Sequence, residues 1–199
     1  MSSEIKDVGE TLVELLRNNL GNRVQNPAEE IVLLPPAEAK VGGVRLTLFL
    51  FSIAPTIEMR NTLEIFSENE QLSQPLDLYY LLTAFAPPEG TSSTERTLES
   101  HDLLGEAMRV FFDNGTLTGS VLRGGLPRDE EIRLTIQPMT VEDLTRIWSV
   151  FPESVLHASV GYLVSPVRLR SRRVNGINPR VVERQVNTDH ISQRKAGNS

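Results

Sequence analysis

Three histidines, five of the seven aspartates and a run of arginines near the C-terminus are the residues in this chain to weigh first for chemistry. His101 and Asp102 are adjacent, but adjacent helical residues point about 100 degrees apart and do not form a dyad. His157 and Ser159 share one face of a strand, separated by roughly 7 Å along it, which is too far for a direct Ser–His hydrogen bond in most rotamers. No G-x-S-x-G elbow accompanies them. The doublets Gly42-Gly43 and Gly124-Gly125 lack the spacing that cradles phosphates. Asp77, Asp102, Asp113, Asp129 and Asp143 are dispersed and build no calcium loop. With no cysteine, thiol catalysis, disulfides and cysteine-ligated zinc are all excluded. The reading is a protein that is not an enzyme and has no cofactor.

The arginines are the one charged cluster of weight. From Arg168 onward eight basic residues stand against two acidic ones, a net +6 in a chain of formal charge −6, which leaves −12 for residues 1–167. The stretch has few large apolar residues and no Phe, Trp or Tyr on which bases could stack, so nucleic acid is not the expected partner. A basic arm on an acidic body fits docking onto an acidic protein surface, beginning with another copy of the same body. Arg168, Arg170, Arg172, Arg173, Arg180 and Arg184 are the candidate interface residues. The expected organisation is a body at 1–167 and a flexible arm at 168–199, loose until bound.

The elements that must carry such an interface are organised around Pro75–Pro87. Leu76, Leu78, Tyr80, Leu82 and Ala84 alternate with Asp77, Tyr79, Leu81, Thr83 and Phe85, so the strand is apolar on both faces and requires cover on both. Val44–Ile53 reads as a second long strand, Glu30–Leu34 as a short one cut by Pro35-Pro36, and Glu131–Gln137 as a half-buried one. Leu156–Val164 reads as a final strand that Pro166 blunts.

Ile5, Val8, Leu12, Leu15 and Leu16 make the stripe of a first helix capped by Ser2 or Ser3 and stopped at Gly21. A second helix begins near Thr94, with Leu98, His101, Leu104, Ala107, Met108 and Phe111 at helical spacing. A third opens at Thr140 and presents Leu144, Ile147, Trp148 and Phe151. The polar segment from Pro55 to Ser73 is long for a hairpin connection and suits contacts. The loop from Gly115 to Asp129 is expected to be mobile. The fold class is α+β: a four- to five-stranded mixed, mainly antiparallel sheet flanked by about three helices.

Neither a basic leader followed by an apolar run nor an 18-residue apolar stretch is present, so the expected location is the cytoplasm.

Four stretches carry a resemblance when taken in order: Pro75–Thr83 (PLDLYYLLT), His101–Met108 (HDLLGEAM), Ile136–Ser149 (IQPMTVEDLTRIWS) and the last strand through Tyr162. They resemble the N-terminal domain of the tail-terminator, or cap, proteins of extracellular contractile injection systems. These are phage-tail-like particles of the antifeeding-prophage and virulence-cassette type. The resemblance covers residues 1–167. It implies a structural protein assembled into the particle as a homohexameric ring, which ends the inner tube and the contractile sheath at the end distal to the baseplate. Two alternatives stay open at this point: a tail completion or connector protein of a contractile phage, and a small adaptor of a type VI-like baseplate.

Overall fold

The computed structural model describes residues 3–40, 43–57, 73–88, 92–151 and 155–171. In chain order these form α1 (Glu4–Leu20), α2 (Pro27–Glu30), β1 (Ile31–Val32), β2 (Leu46–Pro55), β3 (Ser73–Ala84), α3 (Ser93–Asp113), β4 (Thr116–Leu117), β5 (Ile132–Gln137), α4 (Val141–Ser149) and β6 (Ser159–Arg170). The strands make one sheet in the order β1-β2-β3-β6-β5-β4. Only the β1–β2 pair is parallel; the other four pairs are antiparallel.

The class is the expected α+β, with six strands instead of four or five. The additional strand, β4, is two residues long, too short for any period to show in sequence. The additional helix, α2, is a single turn with proline at its start.

β3 lies between β2 and β6 at the centre of the sheet, and both of its apolar faces are covered. On one face Leu76, Leu78, Tyr80, Leu82 and Ala84 join the main core with Val8, Leu12 and Leu16 of α1 and Leu103, Ala107 and Phe111 of α3. On the other, Leu81 and Thr83 are equally buried. There α4 and the residues after it supply the cover: Phe151 meets Phe49 edge-on at 5.9 Å, and Trp148 and Phe85 flank His157 at 5.7 and 4.8 Å. Met139 lies against Gly161, where a side chain would meet its Sδ at 2.5 Å.

α4 opens as its sequence predicts. Thr140 Oγ1 accepts from the Asp143 N–H at 3.2 Å, and the Thr140 N–H donates to Asp143 Oδ2 at 3.0 Å. This reciprocal pair satisfies two N–H groups that would otherwise lack partners.

Two expectations shift. α3 buries Ser100, Leu103, Leu104, Ala107 and Phe111, while Leu98 and His101 face out. β6 does not stop at Pro166 but runs to Arg170. Leu76 pairs with Val167 and Leu78 with Val164, so one extra residue of β6 is absorbed opposite Asp77. A proline at such a bulge removes no ladder hydrogen bond, which is why the strand survives it.

Candidate interaction surface

Among the described residues, the groups singled out for chemistry are engaged elsewhere or stand apart. His101 is exposed on α3, and its neighbour Asp102 is ion-paired with Arg23 instead. The Ser159 hydroxyl donates to the His157 backbone carbonyl at 3.0 Å and shares a 2.9 Å hydrogen bond with the Thr83 hydroxyl, so Ser159 is occupied with the sheet. Burial between two aromatic rings holds the His157 imidazole below the usual histidine range. Among the described residues no group of three or more His, Asp or Glu side chains could hold a metal ion. His190 lies outside the described residues.

Of the six arginines singled out by charge, the structure describes two. Arg168 and Arg170 lie in the last residues of β6 and both face Glu130, whose side chain is 2% exposed. Arg170 Nη2 reaches Glu130 Oε2 at 3.4 Å, Arg168 Nη1 reaches Oε1 at 3.9 Å, and the Arg168 N–H donates to Oε1 at 3.4 Å. The Arg170 N–H donates to Glu4 Oε1 at 3.4 Å, which brings α1 into the cluster. Desolvation pushes the Glu130 carboxyl above its ordinary range; the pull of Arg170 and Arg168 in the other direction is the smaller effect. These two arginines thus root the end of β6 in the body. Arg172, Arg173, Arg180 and Arg184 lie outside the described residues, as does most of the polar segment between Pro55 and Ser73.

The loop expected to be mobile is tied down. Buried Asp7 accepts from the Gly125 N–H at 2.8 Å, and the Arg123 N–H donates to Thr11 Oγ1 at 3.0 Å. Leu117, Leu122 and Leu126 are buried beneath it. Neither Asp7 nor Glu130 stood out in the sequence, because each pairs with residues far away in the chain. The one local signal was the Gly124-Gly125 doublet, of which Gly124 has φ +64.

The sheet offers one long open edge. β1 pairs with β2 only at Leu46 and Thr47, while β3 lines the opposite side of β2 as far as Pro55. From Leu48 to Ala54 the outer edge of β2 has no strand partner among the described residues. Phe49, Leu50 and Phe51 there are half-buried, and Ser52 and Ile53 are exposed.

A mixed six-stranded sheet with α1 and α3 on one face and α4 on the other is an α+β fold, and it matches solved tail-terminator structures. It is similar to the sheath/tube terminator of an extracellular contractile injection system, PVC, in the extended state, with a TM-score of 0.57 at 17% identity over 95% of this chain and 65% of that one. The anti-feeding prophage tube terminating cap is similar at a TM-score of 0.57 and 15% identity, over 89% of this chain and 59% of that one. The chain therefore spans about two thirds or less of the length of each. Residues 7–183 match the family model described as the Pvc16 N-terminal domain, and the chain belongs to that family. Comparison with curated proteins finds no match.

Proposed function

We propose that this protein is a structural, non-enzymatic tail terminator. It is made in the cytoplasm and assembles as a homohexameric ring that ends the inner tube and the sheath of a phage-tail-like contractile particle, distal to its baseplate. The observation that carries the reading is the family match over residues 7–183, joined to a fold shared with two terminating caps. The sheet supports it physically: covered on both faces, with α1 and the β4–β5 loop pinned together, it suits a wedge that transmits load without rearranging.

In this reading the basic residues beyond the root, Arg172, Arg173, Arg180 and Arg184, engage acidic surface on a neighbouring subunit, sheath or tube. Such contacts are screened over a Debye length of ~8–10 Å at moderate ionic strength, so the cap should detach as salt rises. Electron microscopy of purified particles tests the reading. It requires six copies of this chain at the end away from the baseplate; five-fold symmetry there, or this chain at the baseplate, would refute it.

A further inference from the structure

An apolar edge strand with unpaired N–H and C=O groups is a template for another strand, and proteins ordinarily blunt it with lysine, proline, inward charges or a covering element. β2 uses little of this. Between Leu48 and Ala54 it carries no charged residue and no proline, and Pro55 comes only at its end. Among the described residues a register irregularity between Leu50 and Ser52 is the one protective feature, and Ile53 is left 47% exposed. Among the described residues this ten-residue strand is covered along only two residues of its outer side, which leaves room for an added strand.

We propose that the outer edge of β2 accepts, as an added β-strand, the segment Arg180–Val186 from the C-terminal arm of a second copy of this chain. This deepens the proposed ring and rests on it. Three features select that occupant. Arg180-Val181-Val182-Glu183-Arg184-Gln185-Val186 contains three β-branched valines and follows Pro179, which sets a start for a strand. The 28 residues from Arg172 to Ser199 can span up to ~90 Å, and their root is close by. Arg170 pairs with Ser73 and Pro55 with Leu76, so the arm leaves the body roughly 15 Å from the end of the open edge. Finally, Arg172–Ser199 carries six basic residues against two acidic ones, whereas residues 1–167 carry −12. Main-chain hydrogen bonds along the edge would provide affinity, and the alternating side chains would provide register.

The chain contains no cysteine, so introduced thiols report proximity without background. Particles are assembled from two differently tagged versions of the full chain, one carrying Ser52→Cys and the other Val181→Cys or Val182→Cys. The expected result is an oxidant-induced disulfide between the two tags. It should be lost when Ile53→Lys is added to the edge, and absent when Ser120→Cys, exposed near β4, replaces Ser52→Cys. Thermal melting of the Ile53→Lys protein establishes that the body still folds. Cross-linking confined to one chain, cross-linking only to a sheath or tube protein, or equal yield with Ser120→Cys would each overturn the proposal. A six-fold ring without the Ser52 cross-link would sink the strand exchange and leave the terminator reading standing. Particle ends that lack this chain altogether would sink the reading itself.

Discussion

Asp7 and Gly125 stand 118 residues apart in sequence, yet the Gly125 N–H donates to the buried Asp7 carboxylate at 2.8 Å. The contact fastens the first turn of α1 to the loop between β4 and β5. Gly124 makes the approach possible: its φ is +64, and a methyl group there would overlap the carboxylate of Asp7.

Gly124→Ala should therefore cost more than an ordinary left-handed glycine. Gly43, with φ +77 and no atom within 4 Å of the place a methyl group would take, is the natural control. Backbone strain alone is of order 1–3 kcal/mol, so Gly43→Ala should lose about 1 kcal/mol and Gly124→Ala at least ~2 kcal/mol. Urea denaturation of both variants measures the difference. Equal losses would show that Asp7 moves aside freely.

Trp148 is 5% exposed and belongs to the second face of the sheet, not to the core under α1 and α3. Truncating a buried tryptophan costs ~3–5 kcal/mol, and Trp148→Ala should fall in that range. Because α4 buries no other residue fully, the loss should appear first as increased hydrogen exchange in α4, ahead of α1. Unchanged α4 protection would remove Trp148 from its anchoring role.

His157 gives that face a pH dependence. Its folded-state pKa is lowered by burial, so its contribution to stability is present above the ordinary value of about 6.5 and is lost as pH falls through the depressed one. Trp148 is the single tryptophan, and its ring is 5.7 Å from that of His157. Acidification below pH ~6.5 should therefore change Trp148 emission before global unfolding, and His157→Leu should abolish the change. An identical titration in the variant would assign the effect elsewhere.

Much of this fold is legible in the sequence because its signals are local. Proline-bounded alternation reveals β3, and Thr140 with Asp143 reveals the start of α4. Features set by tertiary structure are not legible. α3 has apolar residues on more than one side, so Leu98 fits a stripe in sequence while the sheet selects Leu103 instead. Pro166 signals a strand end unless a bulge is available, and the bulge exists only because β3 lies alongside. The arginine cluster was legible as charge. That Arg168 and Arg170 are held by Glu130 depends on a carboxylate about 40 residues upstream.

Glu130 titrates in the opposite sense to His157. Its folded-state pKa is raised, chiefly by desolvation, so its contribution is full below the ordinary carboxylate value of about 4.3 and is lost as pH rises through the raised one. Burying an ion pair often costs more than the attraction returns. Glu130→Gln should thus melt no lower than the parent at pH 7, and the gap should narrow as pH falls toward 4.5. A variant that melts well below the parent at pH 7 would mean that pairing with Arg168 and Arg170 outweighs desolvation.

The central claim is that this chain ends the tube and the sheath. Particle length, measured by electron microscopy on cells with and without an intact gene for the chain, tests it most directly. The expected result is particles of one length with the protein and tubes or sheaths of uncontrolled length without it, restored by supplying the full chain. Particles of unchanged, uniform length in its absence would contradict the claim.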